Sequence, residues 1–460
     1  MDVSKYTKIK PTNRQVEWQK LGFTAFLHFG INTFTNHEWG TGDENPELFR
    51  PHKLNTDQWC EALKAAGVKA CILTAKHHDG FCLWATEYTD YSVMASPYPR
   101  DIVALLRKSC DRYGLKMGLY LSPWDRHEAA YGTGKAYDDF YLGQLLELTA
   151  NYGELYTIWM DGACGEGANG KVQEYDWERY FALIRKNQPN AVISIMGPDV
   201  RWIGNEAGIT RKSEWSVVSE RLRERSAIAA RSQQAAGIKP LSPEDEDIGS
   251  IAALMGEEKL CWYPAEVDVS IRPGWFYHPE ENNDLRTTGE LVHIYETSVG
   301  GNALLLLNVP PDMEGLINEV DVKRLKELGA ALKAIFAENL CADACVYDEQ
   351  SAPITAVLHD DEDFWCGRTE KETVTVKFPE KRRLTHLVLC EQIRESQRIE
   401  SFDVYSVDLD GQRLLYSGTT VGFKKICRFG ATFVEELKIV ITQSREFPTI
   451  RFIGAYCERI

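Results

Sequence analysis

Apolar runs recur at intervals through the first two-thirds of the chain. They occupy residues 22–29, 70–75, 116–121, 155–160 and 191–196. Each run is continuous rather than alternating, which is how a strand covered on both faces reads. Helical patterns lie between them. Residues 56–66 carry a cap candidate in Thr56 and stop at Gly67, residues 102–113 stop at Gly114, and residues 140–152 stop at Gly153. A glycine just past a helix accepts the left-handed turn that ends it. Helix, glycine, short link and apolar strand make a βα repeat of roughly 35–50 residues, which predicts a parallel sheet. Five such units with more to follow predict an α/β fold, a (β/α)8-like TIM barrel, rather than an open sheet. No G-x-G-x-x-G follows a strand, so a dinucleotide-binding fold lacks its signature.

The pattern then changes. Residues 266–271 alternate polar and apolar, while residues 302–309 form a continuous apolar run that is expected to close the barrel, ended by Pro310 and Pro311. A last barrel helix fits residues 320–336. Residues 219–258 are polar and rich in Arg and Glu, and read as a long insertion with helical pieces on the rim. Beyond residue 339 short alternating runs appear at 373–378, 384–389, 402–407 and 437–441, separated by turn residues such as Asp410-Gly411. They predict a C-terminal antiparallel β-sandwich. The expected division is a catalytic barrel over 1–338 and a sandwich over 339–460. No low-complexity linker separates them, so the two are expected to pack together.

Composition narrows the function. A net charge of -16 argues against nucleic acid as a partner. No run of about 18 apolar residues is present to insert in a membrane. The 12 cysteines are scattered without a C-x-x-C pair, which indicates neither zinc nor a redox motif and fits a reducing compartment. The N-terminus has no apolar signal core, so the chain as it stands reads as cytoplasmic, or as periplasmic or secreted if a signal peptide has been removed. The chain holds 12 Trp, 20 Tyr and 18 Phe, enough to fill cores and still line a sugar site.

Chemistry is concentrated at the predicted strand ends. Tyr156-Thr157-Ile158-Trp159-Met160 runs into Asp161-Gly162, an apolar strand that stops at a carboxylate. Barrel enzymes place their catalytic groups there, although an Asp-Gly turn also ends strands. His28 ends the first strand, with Glu38-Trp39 in the loop beyond. His77-His78 follow the second, and Tyr120 lies near the end of the third. Neighbouring strand residues point to opposite faces, so His77 and His78 share a pocket only in the loop past the strand. A metal site would use such groups, but the H-x-H spacing that puts two ligands on one strand face is missing. A sugar site uses imidazoles, carboxylates and aromatic rings directly. No cofactor and no metal are expected.

The motifs Leu27-His28-Phe29-Gly30, Glu38-Trp39, Lys76-His77-His78-Asp79-Gly80-Phe81, Trp159-Met160-Asp161-Gly162 and the GNALLLLNVPP of residues 301–311 together resemble the α-L-fucosidases of glycoside hydrolase family 29. The resemblance spans residues 10–340. It implies a retaining mechanism with Asp161 as nucleophile and a fucosylated oligosaccharide or glycoconjugate as substrate. It also implies that His28, Glu38, Trp39, His77, His78 and Tyr120 hold the fucose ring. Trp159 and Trp275 complete the substrate-contacting set, Trp275 as a candidate to pack on the fucose methyl or as a structural residue. Arg201-Trp202-Ile203-Gly204-Asn205-Glu206-Ala207-Gly208 and Ser213-Glu214-Trp215-Ser216 resemble the branch acting on α-1,3/1,4-linked fucose in branched glycans. In that branch the Glu of G-N-E-A-G is the acid/base, here Glu206, with Glu214, Glu166 and Glu266 as rivals. The sandwich is expected to cap the barrel rather than to bind carbohydrate or calcium. An α-L-fucosidase with a broad linkage range, a metal-dependent barrel hydrolase and a non-catalytic fucose-binding protein are the other readings these residues permit.

Overall fold

The computed structural model describes residues 4–234, 246–409 and 411–459. Its first ten strands are β1 (Phe23–Leu27), β2 (Ala70–Lys76), β3 (Lys116–Leu121), β4 (Thr157–Met160), β5 (Val192–Ile195), β6 (Arg201–Trp202), β7 (Val217–Ser219), β8 (Leu260–Trp262), β9 (Ala265–Ser270) and β10 (Ala303–Asn308). Eight of them make one sheet in the order β5-β4-β3-β2-β1-β10-β9-β6, and β7 pairs with β8 in a separate ribbon. Every pairing in the large sheet is parallel. Its edges β5 and β6 meet through a bridge between Ser194 and Val200, with Ile195 N donating to Val200 O at 3.0 Å. The fold is therefore a nearly closed eight-stranded barrel. Residues 302–309 close it as expected, the last barrel strand of the chain pairing in parallel with the first. They form β10 inside the ring, between β1 and β9. The seam lies at β5 and β6, because β6 is only two residues long.

The period of two along each strand sorts the side chains. Ala25 and Leu27, Cys71 and Leu73, Met117 and Leu119, and Leu305 and Leu307 face outward and join the core under the helices. Phe26, Ile72, Tyr120, Trp159, Leu304 and Leu306 face inward and fill the barrel. Burying each such side chain contributes roughly 1.5–3 kcal/mol. The same parity carries past the apolar layers. The next inward positions at the C-terminal ends are His28 after Phe26, Asp161 after Trp159 and Asn308 after Leu306. The barrel's last layer is thus polar, and it is the floor of the site.

The helices follow their caps. The helix Thr56–Ala65 is capped by Asn55, whose side chain accepts from Asp57 N and Gln58 N, so Thr56 is its first residue and not its cap. The helix Ile102–Tyr113 ends as expected at Gly114, which has φ 68°. The helix expected from residue 140 starts earlier and runs Lys135–Asn151. The last barrel helix is Glu319–Phe336. Within the insertion the helix Arg225–Gln234 is described, while residues 235–245 and Asp410 of the expected turn lie outside the described residues. Among the described residues no helix is long and apolar enough to cross a membrane.

The C-terminal strands are β11 (Cys345–Tyr347), β12 (Trp365–Cys366), β13 (Glu372–Cys390), β14 (Ile399–Asp408), β15 (Gly411–Gly418), β16 (Lys425–Ser444), β17 (Thr449–Ile450) and β18 (Phe452–Tyr456). A six-stranded antiparallel sheet, β11-β13-β16-β14-β15 with β18 also on β13, pairs with a small β12-β17 sheet in the sandwich. The runs at 373–378 and 384–389, expected as two strands, are one. β13 continues through them with register shifts between Lys377 and Arg382 and between Leu384 and His386. Bulges of this kind bend a strand without ending it. Val374, Val376, Val404, Leu437 and Ile439 share the core beneath.

Candidate active site

A cavity of about 340 Å³ opens at the C-terminal end of the barrel. His28, Glu38, Trp39, His77, His78, Trp159, Asp161, Glu206 and Trp275 all line it, as do Phe26, Ile195, Trp202, Asp268 and Ser232. The strand-end residues singled out from the sequence therefore converge. Tyr120 stands behind Asp161 and donates to its Oδ2 at 2.9 Å.

Asp161 lies just past β4, with its side chain 21% exposed. Ala163 N–H donates to Oδ1 at 2.9 Å. With Tyr120 on Oδ2, two donors fix the carboxylate in orientation. Tyr120 stacks on Trp159 at 5.3 Å between centroids, and Phe26 meets the same indole edge-on at 5.2 Å. The aromatic floor thus locks the groups that hold Asp161. Trp159 Nε1 donates downward to Glu266 Oε1 at 2.7 Å.

The three imidazoles are buried and neutral, and hydrogen bonds fix two of their tautomers. Asn308 Nδ2 donates to Ser270 Oγ at 3.0 Å and to Trp275 O at 2.8 Å, so its Oδ1 is the acceptor toward His28 Nδ1 at 2.8 Å. His28 therefore carries its proton on Nδ1, and Nε2 is left as a lone pair. Ser122 Oγ donates to Trp124 O at 2.6 Å and so accepts from His78 Nδ1 at 2.7 Å. His78 Nε2 is then also a lone pair, 3.7 Å from Asp161 Oδ2. Burial pushes the His28 pKa down to about 3, outweighing the Asn308 bond. Burial likewise lowers His78 to about 4 against the pull of Asp161. His77 is driven well down by burial and by the other two rings, and among the described residues its Nδ1 has no hydrogen-bond partner, with Asp79 Oδ2 4.0 Å away. Such lone pairs on a cavity wall accept from the hydroxyls of a polyol.

Glu38 plays a second part. Its carboxylate accepts from Trp275 N at 2.9 Å, Phe276 N at 3.1 Å and His278 Nε2 at 2.6 Å. It pins the loop that carries Trp275 while still bordering the cavity. Trp275 is tilted over His28 at 5.1 Å, and its Nε1 donates to Glu206 Oε2 at 3.2 Å. Glu206 sits at the rim. Desolvation raises its pKa above the ordinary carboxylic value, and the charges of Asp161 and Glu38 add to this against the Trp275 bond.

The rival carboxylates have other occupations. Glu214 is buried between Arg201 and Arg211. Glu266 lies under Trp159, where burial lifts it to about 7. Glu166 is exposed and does not line the cavity. Asp268 lines the cavity and was missed. Trp202 Nε1 donates to it at 2.6 Å, and burial raises it well above the ordinary value. The signal was present in the alternation of residues 266–271, whose polar face turns into the barrel. Ser232 comes from the insertion, and a Cβ on Gly162 would lie 2.1 Å from its Oγ. The glycine lets that helix close over the Asp161 loop. Ile195, a β-branched residue, has φ 68° beside the seam, held by Val200 O. Among the described residues no three His, Cys, Asp or Glu are grouped to hold a metal ion.

Residues 14–335 match the family model described as alpha-L-fucosidase. The chain belongs to the α-L-fucosidase family. It is 41% identical over 467 residues to "Alpha-L-fucosidase 1" of Arabidopsis thaliana, covering 98% of this chain and 88% of the relative. A putative α-L-fucosidase of Bacteroides ovatus superposes with a TM-score of 0.88 at 42% identity, over 100% of this chain and 76% of that one. A GH29 fucosidase of Ruminococcus gnavus, solved in complex with fucose, gives a TM-score of 0.83 at 32% identity, over 98% of this chain and 95% of that one. This α-L-fucosidase is a glycoside hydrolase, an activity that a fucose-containing substrate fits.

Proposed function

We propose that this fucosidase is exo-acting and retaining, with Asp161 as nucleophile and Glu206 as acid/base, and that it prefers α-1,3/1,4-linked fucose on branched, Lewis-type glycans. The observation that carries the mechanism is the contrast between two carboxyls open to one cavity. Asp161 receives two donors and is oriented to attack. Glu206, at the open rim, is held above the ordinary carboxylic value by desolvation and by the charges of Asp161 and Glu38, the direction an acid/base needs. In the first step Asp161 attacks the anomeric carbon while Glu206 protonates the departing oxygen. In the second, Glu206 takes a proton from water, which displaces the carboxylate from the sugar. His28 and His78 accept from ring hydroxyls through their free nitrogens. Trp39, exposed and edge-on to His78 and Trp124, forms one wall with Trp275 opposite. No metal enters this chemistry.

The linkage preference rests on the Glu206 motif and on the insertion. Ser232 already reaches the cavity, so the helix Arg225–Gln234 is placed to meet a second sugar on the leaving group. Energy from that remote sugar is used at the reacting centre. The test is kcat/KM on a Lewis trisaccharide against 2′-fucosyllactose. A ratio well above one is expected, and a ratio near or below one rejects the preference while leaving the fucosidase assignment intact.

A further inference from the structure

A groove of about 620 Å³ starts at Ala207, the residue after Glu206. It follows the helix Thr288–Ser298 down the side of the barrel and ends against the C-terminal sheet at Tyr416 and Lys425. Lys425 is 8% exposed, and no described residue gives its Nζ a hydrogen bond or ion pair. Burial lowers its pKa from the ordinary lysine value, and nearby Lys212 pushes the same way. The stem of Lys425 is covered while its Nζ stays open to the groove, where an anion can reach it. The rest of the wall is also cationic. Lys212 is exposed, and Arg286 commits only its Nε, to Ser270 O at 2.9 Å. The carboxylates there are engaged elsewhere. Glu296 accepts from His386 at 2.9 Å and Arg428 at 3.1 Å, and Glu290 accepts from Thr287 N and Oγ1 at 2.7 Å. Open positive charge is concentrated here in a chain of net charge -16. Tyr416, half-buried, offers a ring for a sugar face.

We propose that this groove is an anion-binding subsite for the carboxylate or sulfate of an acidic sugar, with Lys425 as its central cation. Its start beside Glu206 makes it a continuation of the leaving-group side of the cavity. That link rests on the acid/base role proposed above, whereas anion binding does not.

The test is calorimetric titration of the full-length wild-type protein with 3′-sialyllactose, lactose 3′-sulfate and lactose. None contains fucose, so binding is read independently of hydrolysis. Either acidic ligand is expected to bind, less tightly in high salt and unaffected by saturating fucose, while lactose does not bind. The tighter of the two identifies the anion. Lys425→Met should weaken binding at least about tenfold, since it removes the central cation. Lys212→Ala, at an exposed position, should weaken it about threefold and serves if Lys425→Met does not fold. Acidic ligands that bind no better than lactose, binding displaced by fucose, or unchanged affinity in both variants would overturn the proposal.

Discussion

Two buried polar regions of this chain are built on opposite rules. At the contact between barrel and sandwich, most polar groups close on one another, and among the described residues Trp215 Nε1 and Arg445 Nη1 are left without a hydrogen-bond partner. Gln397 accepts from Ser216 N at 2.9 Å and donates to Glu214 O at 3.1 Å. Asn302 donates to the same Glu214 O at 3.0 Å and accepts from Phe423 N at 2.7 Å. Arg445 lies 3.7 Å over the ring of Trp215, and Glu296 joins His386 to Arg428. At the barrel mouth, each of three imidazoles keeps a ring nitrogen that receives no hydrogen bond from a described residue, and at His77 Nδ1 that nitrogen is itself buried. An unmade bond on a buried group costs about 1–3 kcal/mol. A closed network holds two units together. An open one is retained because a substrate completes it.

The comparison breaks first at Asp161. Asp161→Asn should lower turnover by at least about a thousandfold while Tm stays close to wild type, because a nucleophile is lost and no packing is. Comparable loss of Tm would mean that the residue belongs to the closed class. Glu206→Ala comes next. Natural glycosides, whose leaving group needs a proton, should slow by about 10²–10⁴-fold, and activated aryl fucosides far less. The basic limb of kcat/KM should vanish with it. Equal losses on both substrates would move the role elsewhere.

His28→Phe removes one acceptor and should cost about 1–3 kcal/mol of transition-state energy, read as kcat/KM. Gln397→Ala probes the other rule. It strips the partner from Ser216 N while Glu214 O keeps Asn302, so stability should fall by about 1–3 kcal/mol in a denaturant titration with kcat/KM nearly unchanged. A variant that loses activity instead would merge the two regions into one.

The last effect is in pH. His28 and His78 stay neutral when folded, down to about 3 and about 4, but take protons near the ordinary value of 6.5 when unfolded. The unfolded state then binds more protons as pH drops, so stability falls from pH 6.5 toward 4. His78→Gln should flatten that slope in Tm against pH. An unchanged slope would mean that His78 is protonated in the fold.

Much of this was legible in the sequence, for physical reasons. Continuous apolar runs between capped helices give a parallel barrel, and β3 and the helix Ile102–Tyr113 occur where the pattern puts them. Short or bent elements are not legible. β6, two residues long, leaves no periodicity, and the bulges of β13 look like a turn between strands. The site was legible wherever a polar residue interrupts an apolar run, as at His28 and Asp161. Asp268 was hidden because its alternating strand resembles a half-exposed one, although its polar face is interior. Tyr120 was read as touching the sugar, and its hydroxyl is instead committed to Asp161.

The central claim, that Asp161 attacks the sugar, is tested most directly by trapping. The wild-type enzyme would be incubated with 2-deoxy-2-fluoro-α-L-fucosyl fluoride, digested, and its peptides mapped by mass spectrometry. The account predicts one fluorofucosyl ester, on the peptide carrying Asp161 and at that residue. An adduct on another carboxylate, or product released with inverted configuration and no adduct, would contradict it.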